Sequence, residues 1–563
     1  MDLNKSVYEI VLKNLKESFG NDLQDINLED LLEVSVPNNK EHGDYATNVA
    51  MKLAKNLRQP PAKIAETLVN KINSDSENSS FFSKIEIVNP GFINFTLNEN
   101  LYKDIMFNIF RQDSQYGKSA SAVGKTAIVE FVSANPTGPL HIGHARNAVV
   151  GDSVARMLEA IGYQVTREYY FNDAGVQMNK LGRSLKARYL QEVGEDVELP
   201  EDGYKGAYMI DIAKKLHEEK GDHLKNEEGT KIFTDYAVKN ILTTIDKDLK
   251  DMGIAFDSWF TETSLYENGK VDECIEQLKA KGSLYLNDGA WWLRSSEKGD
   301  EKDRVIIKSD KTMTYLAPDI AYHNDKFKRG FDIIVNLFGA DHHSYVDRLK
   351  IALDFLGHDV SKLKCIVYQM VTLLKDGEKM KISTRSGEFI SIKEMVEEVG
   401  VDVIRFFFNM RSADSQMVFD WELAKDTSMN NPVYYVQYAH ARLSSLFKKS
   451  QELGIEWKGL GESDLSLLST TEEKDIILKM AQLPATVEQS AMNLEPHHLT
   501  SYVRELAGQF HQFFTIGSKN SDYRIIIEDK PELTQARLSL VYCLRIVIRN
   551  TLHILGITAP ESM

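Results

Sequence analysis

The sequence predicts an α/β protein organised around a Rossmann-type parallel sheet, with an N-terminal α+β domain and a C-terminal all-α helical bundle. Residues 126–133 form an apolar run typical of a buried strand, and a turn follows directly. Residues 141–161 then carry apolar positions at helical spacing, and residues 165–171 return to a strand pattern, which together predict a β–α–β unit. After Gly400, amphipathic helical stretches follow one another, which indicates a bundle.

Composition excludes several classes of protein. A chain of 563 residues is too long for one hydrophobic core, which favours three or four domains. With 42% hydrophobic and 27% charged residues, the chain is neither disordered nor fibrous. It has no run of about 18 apolar residues that would predict a membrane span, and its charged N-terminus lacks the apolar centre of a signal peptide. The three cysteines lie far apart, so we expect a reducing, cytoplasmic location and no thiolate zinc site.

The predicted elements divide the chain into three domains. Residues 1–115 form the N-terminal domain, with helices and strands predicted at 5–17, 44–57, 61–73, 84–88 and 92–97. Residues 120–390 form the sheet domain, with further strands at 333–338 and 365–371 and a charged helical insertion at about 180–285. Residues 391–563 form the bundle, with helices predicted at 402–411, 433–453, 471–492, 498–516 and 534–554.

Two histidines at the predicted start of the long helix are the first candidates for chemistry. His141 and His144 are three residues apart, so they lie on one face of a helix. The free N–H groups and the positive end of the helix dipole point the same way and favour phosphate. Gly143 removes a side chain where a nucleotide would approach the backbone. A zinc pair is the alternative, but the sequence offers no third ligand.

The segment around these histidines also resembles a known family. Residues 133–144, SANPTGPLHIGH, match the HIGH signature of class I aminoacyl-tRNA synthetases in the extended form of the arginyl-tRNA synthetases. Further family-like segments cover essentially the whole chain, namely GDYATN at 43–48, FNDAG at 171–175, YLAPDIAY at 315–322, GADHH at 339–343 and NPVYYVQYAHAR at 431–442. The resemblance implies an enzyme that ligates L-arginine to tRNA(Arg) through arginyl-adenylate and that binds tRNA before it activates arginine.

The resemblance also implies an arginine site. It places guanidinium ligands at Glu130, Tyr315 and Asp319, and carboxylates suit a planar guanidinium because they bind it through two hydrogen bonds. Tyr315 and Asp319 are four residues apart and would share a helix face. The other expected arginine-binding residues are Ser133, Asn135, His144 and His342. The structural alternative is that Glu130 is only a salt-bridged strand residue and that Asp319 only begins a helix.

The expected nucleotide site follows from the same comparison. The resemblance implies catalytic roles for His141, His144 and Lys381 and ATP contacts by Pro136, Gly138, His141, Gly143, His144, Gly339, Asp341, Met370, Val371, Lys379 and Lys381. The family's KMSKS loop, whose lysines stabilise the pyrophosphate, corresponds to a degenerate stretch at 379–387. The basic residue that has this role here can be Lys379, Lys381 or Arg385. We expect Mg²⁺ to arrive with ATP, held mainly by phosphates and water, and no tightly bound protein metal.

The expected tRNA contacts lie on the C-terminal helices. Single-stranded RNA loops are bound by stacking on aromatic side chains and by arginine contacts to phosphate. The candidates of these types are Tyr434, Tyr438, His440, Arg442, Arg537 and Arg545. The alternative for each is a place in the helix core, with the arginines extending their charged ends to solvent.

The resemblance implies a monomer. Two rival functions remain at this point: a synthetase for another amino acid, and a non-catalytic RNA-binding relative.

Overall fold

The computed structural model describes residues 3–24, 26–37, 39–340, 343–380 and 390–563. At its centre lies a five-stranded sheet whose neighbouring strands are all parallel, in the order β11 (Leu363–Tyr368), β10 (Ile333–Gly339), β4 (Thr126–Glu130), β5 (Gln164–Phe171) and β6 (Ser258–Thr261). Between residues 126 and 380, the helices and strands are β4 (Thr126–Glu130), α7 (Ile142–Ala160), β5 (Gln164–Phe171), α8 (Val176–Glu192), α9 (Ala207–Lys220), α10 (Lys231–Asp251), β6 (Ser258–Thr261), α11 (Glu262–Glu267), α12 (Lys270–Ala280), β7 (Leu284–Asn287), β8 (Ala290–Leu293), β9 (Arg304–Ile307), α13 (Leu316–Lys328), β10 (Ile333–Gly339), α14 (His343–Phe355), β11 (Leu363–Tyr368), β12 (Val371–Lys375) and β13 (Glu378–Met380).

The N-terminal part packs helices on a small antiparallel sheet, as predicted. Its elements are α1 (Leu3–Phe19), α2 (Leu28–Leu31), β1 (Tyr45–Thr47), α3 (Val49–Leu57), α4 (Pro61–Ser74), α5 (Ser76–Phe81), β2 (Phe82–Val88), β3 (Phe92–Leu97) and α6 (Glu99–Gln112). The helix predicted at 44–57 is wrong over its first residues, because Tyr45–Thr47 pairs with β3 as an edge strand.

The C-terminal part is helical throughout, apart from one strand that joins a small sheet with β12 and β13. Its elements are α15 (Ile392–Val399), α16 (Val401–Asn409), β14 (Met417–Asp420), α17 (Trp421–Lys425), α18 (Pro432–Glu452), α19 (Thr471–Ala481), α20 (Leu483–Asn493), α21 (His497–Lys519) and α22 (Pro531–Ile554). The single helix predicted at 471–492 is in fact two, because Pro484 in the first turn of α20 cannot continue α19. Among the described residues, no helix combines the length and apolarity that a membrane crossing requires.

The central sheet also differs from its prediction at two places. The section at 180–285 is mainly helical, but Ser258–Thr261 within it pairs with β5 as the outer strand of the sheet and is therefore not part of an insertion. The first strand ends at Glu130 instead of residue 133, because Val132 and Ser133 adopt left-handed backbone conformations with φ of 65° and 44°. Such values are strained for a β-branched residue and turn the chain abruptly toward the start of α7.

A buried charge cluster fixes α7 against the rest of the protein. Asp152 on α7 is 1% exposed and accepts bonds from Arg405, Arg156 and Arg167 at 2.5–3.1 Å. Burial alone would raise the pKa of Asp152, but these three guanidinium groups hold it below its usual value. The helix that carries the two candidate histidines is thus held by ion pairs to α16 and β5.

Replacing Asp152 by asparagine is expected to destabilise the protein strongly. The change leaves the fully buried Arg405 without its counter-charge, which costs about 3–5 kcal/mol in comparable sites. Chemical denaturation would measure the loss. The matched control is Asp235→Asn, which removes an exposed pair with Lys231 on α10 and should change the free energy of unfolding by less than about 0.5 kcal/mol. Equal effects in the two variants would contradict this description of the cluster.

Candidate active site

The two histidines of the predicted nucleotide site form the N-terminal cap of α7. The His141 Nδ1 accepts the N–H of Gly143 at 3.1 Å, and the His144 Nδ1 accepts the N–H of His141 at 3.3 Å. Both rings therefore carry their proton on Nε2. The rings lie 3.9 Å apart between centroids. A side chain on Gly143 would come within 2.9 Å of the His141 ring, so the glycine is needed for this stacking as well as for access to the backbone.

Both histidines are neutral at physiological pH. Burial lowers the pKa of His141, and burial together with the neighbouring His141 lowers the pKa of His144 to about 3. They can therefore stabilise developing charge by donating hydrogen bonds from Nε2, not as imidazolium ions. Since both Nδ1 atoms accept backbone N–H groups, the arrangement also does not resemble a zinc pair.

A cavity of about 240 Å³ lies in front of the histidines. It is lined by the turn that follows β4 and by residues from the helical section, with the members Ala134, Asn135, Thr137, Gly138, Pro139, Leu140, His141, His144, Gln177, Tyr204 and Tyr208. Tyr208 covers this turn: its hydroxyl donates to the carbonyl of Thr137 at 2.5 Å, and a side chain on Gly138 would approach its ring to 3.2 Å. Asn135 is held between the Gln177 side chain and the backbone N–H of Asn172.

Glu130, a predicted guanidinium ligand, ends β4 in a buried position. It forms an ion pair with the fully buried Lys326, and the Asn336 amide donates to the same carboxylate oxygen at 2.6 Å. Its other oxygen accepts the hydroxyl of Ser133 at 2.9 Å. The structure therefore supports the salt-bridge alternative for Glu130 in part: its charge has a partner within the protein before any substrate arrives.

Asp319 and Tyr315 lie at the start of α13, one turn apart. The carboxylate of Asp319 accepts the hydroxyl of Tyr345, and it forms no ion pair with any residue in the described ranges. Burial and the negative charges of Glu130 and Glu262 raise the pKa of Asp319 to about 7. The side chain of Tyr315 is 84% exposed and extends into solvent, so the predicted shared face is not formed by direct contact.

Glu262 is a third carboxylate in this region and was not singled out from the sequence. It begins α11, and its Oε2 accepts the hydroxyl of Tyr170 at 2.8 Å and the amide of Asn172 at 2.9 Å. Burial, opposed by these hydrogen bonds, raises its pKa. We call Glu130, Asp319 and Glu262, with Tyr170 and Tyr345, the acidic pocket. The FNDAG segment, whose Asn172 bonds to Glu262, was a sequence signal that pointed to this region.

The remaining predicted nucleotide contacts are spread around the ends of β10 and β11. Gly339 closes β10, while Met370 is 69% exposed and Val371 is buried at the start of β12. Pro136 lies in the turn before α7, and Lys379 is exposed on β13. Four of the predicted residues lie outside the described part of the chain, namely Asp341, His342, Lys381 and Arg385.

The predicted tRNA contacts separate into a half-buried group and a fully buried group. On α18, Tyr434 and Tyr438 stack with ring centroids 6.3 Å apart, and the guanidinium of Arg442 lies 4.6 Å from the Tyr438 ring. His440 is 2% exposed and bonds to the carbonyl of Pro560. Arg537 is equally buried and pairs with Glu473.

For His440 and Arg537, therefore, the core alternative describes the geometry, because both side chains are enclosed and already bonded within the bundle. Arg545 is intermediate in exposure and lies 5.3 Å from the rings of Phe447 and Tyr542. The group on α18 combines two partly exposed aromatic rings with a partly exposed cation, which is the combination that binds a single-stranded RNA loop.

Comparison with known proteins matches all three parts of the chain to family models. Residues 13–97 match the arginyl tRNA synthetase N-terminal domain, residues 105–413 the catalytic domain of class I (R) tRNA synthetases, and residues 436–563 the DALR anticodon binding domain. Arginine–tRNA ligases from Citrifermentans bemidjiense and a Geobacter species are 48% and 49% identical to the chain, and each alignment covers 94% of the chain and 95% of the relative.

Solved structures agree with these matches. A protein from Campylobacter jejuni superposes with a TM-score of 0.74 at 34% identity, covering 83% of this chain and 100% of that one. The Thermus thermophilus arginyl-tRNA synthetase superposes with a TM-score of 0.73 over the full length of both chains. At 22% identity, this second likeness describes the fold alone.

Proposed function

Because this chain belongs to the arginyl-tRNA synthetases, which charge tRNA(Arg) with arginine at the expense of ATP, we propose that its acidic pocket binds the arginine side chain. The observation that carries this proposal is the pair of carboxyl groups, Asp319 and Glu262, whose pKa values are raised and which form no ion pair with a described residue. A guanidinium ion supplies the missing positive charge and planar donors for both.

The reaction proceeds in two steps. A carboxylate oxygen of arginine forms a bond to the α-phosphorus of ATP, and the bond to the bridging oxygen breaks to release pyrophosphate. The 2′-hydroxyl of the tRNA's terminal adenosine then attacks the arginyl carbonyl carbon, and AMP leaves. Neither step needs a covalent enzyme intermediate, so the protein acts by positioning and by stabilising charge.

The cavity in front of α7 is the proposed site of ATP, which enters as its Mg²⁺ complex. The Nε2–H groups of His141 and His144 can donate to phosphate oxygens, and the positive end of the α7 dipole lies at the same place and favours negative charge. Asn135, which is fixed by two hydrogen bonds, lies between this cavity and the acidic pocket. We assign it to the amino and carboxylate groups of arginine.

The tRNA loop is proposed to bind at Tyr434, Tyr438 and Arg442 on α18. Their stacked rings and guanidinium form a surface for unstacked bases and phosphate.

We also propose the domain limits 1–115, 120–390 and 391–563, a monomeric state and a cytoplasmic location. These assignments rest on the family resemblance. Sedimentation equilibrium of the purified protein tests the monomeric state, since a dimer would give twice the molar mass of the chain.

The raised pKa of Asp319 makes arginine affinity depend on pH. Below about pH 7 the free enzyme holds a proton on Asp319, and the bound guanidinium favours the ionised form, so binding must displace that proton. The KM for arginine is therefore expected to fall about tenfold between pH 6 and pH 8, the change that titration around a pKa near 7 produces. Steady-state kinetics at saturating ATP and tRNA measures it. A KM that stays constant over this interval contradicts the proposal, and the KM for ATP is the internal control.

Pyrophosphate exchange tests the assignment of the pocket. The assay is run with arginine, lysine and citrulline, each with and without tRNA, and we expect exchange only with arginine in the presence of tRNA. Exchange with another amino acid would show that the pocket has a different specificity. Exchange with none of them would contradict the catalytic assignment and favour the alternative of a non-catalytic relative.

A further inference from the structure

A buried polar network lies directly beneath the acidic pocket and connects the carboxylate of Glu130 to the backbone of Asp319. It consists of Lys326 and His323 on α13 and Asn336 on β10; we call these three residues the floor network. All three side chains are at most 3% exposed. Asn336 and Glu130 are aligned partners on adjacent parallel strands, so both point to the same side of the sheet, toward α13.

Lys326 is the cation of this network. Its ammonium group is 0% exposed, pairs with Glu130, and also donates to the Asn336 Oδ1 at 3.0 Å. The Asn336 amide donates in turn to the Glu130 carboxylate at 2.6 Å. One oxygen of Glu130 thus receives two donors from the floor network, which fixes the orientation of the carboxylate.

His323 extends the network to Asp319. The His323 Nε2 lies 2.8 Å from the Asn336 amide nitrogen, which can only donate, and the His323 Nδ1 lies 2.8 Å from the carbonyl oxygen of Asp319, which can only accept. The ring is therefore the neutral Nδ1–H tautomer. Burial and the nearby Lys326 lower its pKa to about 3, in agreement with a neutral ring. A continuous chain of hydrogen bonds joins the backbone of Asp319 to the carboxylate of Glu130.

We propose that Lys326 is a positioning residue for arginine recognition: through the floor network it holds Glu130 at a fixed separation from Asp319 and neutralises it, so that the pocket presents the charge of Asp319 and Glu262 to the guanidinium. The inference rests on the proposed function of the acidic pocket. Without Lys326, Glu130 becomes a third unpaired buried carboxylate, free to turn toward the substrate or away from it.

A purely structural ion pair is the alternative. Buried ion pairs contribute little net stability compared with apolar residues of similar volume, so stability alone gives a weak reason for this one. Its place also favours a role in recognition, because the network bonds to the carboxylate of Glu130 at the carboxyl end of β4 and to the backbone of Asp319, and both residues belong to the acidic pocket. The two roles differ in what the loss of Lys326 changes.

The test is a double-mutant cycle in the full-length enzyme with Lys326→Met, Glu130→Gln and the combined variant. The KM for arginine and for ATP, kcat, and the preference for arginine over citrulline are measured by tRNA-dependent pyrophosphate exchange. We expect Lys326→Met to raise the KM for arginine at least tenfold, to leave the KM for ATP within twofold, and to reduce the preference over citrulline. Because Lys326 acts through Glu130, the combined variant should be no worse than Glu130→Gln alone.

The matched control is Lys270→Met. Lys270 lies on α12, is less buried than Lys326 and pairs with Asp325 of α13, so its loss should leave the KM for arginine unchanged. Additive losses in the cycle, or equal changes in the KM values of arginine and ATP, overturn the inference. If Lys326→Met does not fold, Asn336→Ser interrupts the network while leaving the ion pair, and an unchanged KM for arginine in that variant overturns it too. The proposed function fails separately, if Asp319→Asn leaves the KM for arginine unchanged.

Discussion

Replacing Asp319 by asparagine is expected to raise the KM for arginine about a hundredfold. Removing one partner of a desolvated charge pair costs about 2–5 kcal/mol, because the other charge is left buried without its counterpart. Asparagine keeps the size and one acceptor but not the charge. The variant should therefore lose most of its preference for arginine over citrulline, its uncharged isostere, while its KM for ATP stays within about twofold. Steady-state exchange kinetics with both amino acids measures these quantities.

The control for this prediction comes from the same helix. Asp325→Asn removes a carboxylate of similar chemistry that pairs with Lys270 and Arg329 on the far end of α13. Its KM for arginine should not change, although its stability can fall. If Asp319→Asn and Asp325→Asn altered arginine binding equally, the effect would be one of helix stability and Asp319 would not be a ligand.

Replacing His144 by alanine is expected to reduce the rate of arginine activation about a hundredfold. A lost hydrogen-bond donor to charge that develops in the transition state has an effect of this size in other enzymes. The neutral state of His144 matters here, because it limits the side chain to one donor at Nε2 and gives it no attraction for RNA at a distance. The affinity for tRNA, measured by filter binding, should therefore stay within about twofold.

Two observations would speak against this role for His144. A loss of tRNA affinity as large as the loss of rate would mean that the residue supports the binding surface. A large fall in the melting temperature would mean that the loss of the cap on α7 dominates, since caps contribute about 0.5–2 kcal/mol. His217→Ala, at a half-buried position of α9 away from the histidine pair, controls for the removal of an imidazole in general.

The parts of the fold that depend on local pattern could be predicted from the sequence. The β4–α7–β5 unit and the helices of the C-terminal bundle follow from residue spacing, and α7 begins at the expected histidines because its cap is formed by neighbours two and three residues apart. The errors have non-local causes. Tyr45–Thr47 is a strand because β3 lies beside it, and Ser258–Thr261 joins the central sheet because β5 has a free edge there.

The candidate site divides in the same way. The sequence could identify Glu130 and Asp319 through their motifs, but not what each carboxylate contacts. Glu130 pairs with Lys326, which lies 196 positions further along the chain. Asp319 accepts a hydrogen bond from Tyr345, which lies on the next helix. Glu262 follows the short strand β6, which the helical pattern around it conceals. His440 and Arg537 have the composition of RNA contacts, and only their burial in the bundle separates them from Tyr438 and Arg442.

If carboxylates with raised pKa values recognise the charge of arginine, binding must release protons, and these protons can be counted. Calorimetric titration of the tRNA-bound enzyme with arginine at pH 7, in two buffers of different ionisation enthalpy, gives the number of protons released. With the pKa of Asp319 near 7, we expect arginine to release about half a proton or more, and citrulline to release none. Arginine binding without proton release at pH 7 would show that Asp319 does not bind the guanidinium.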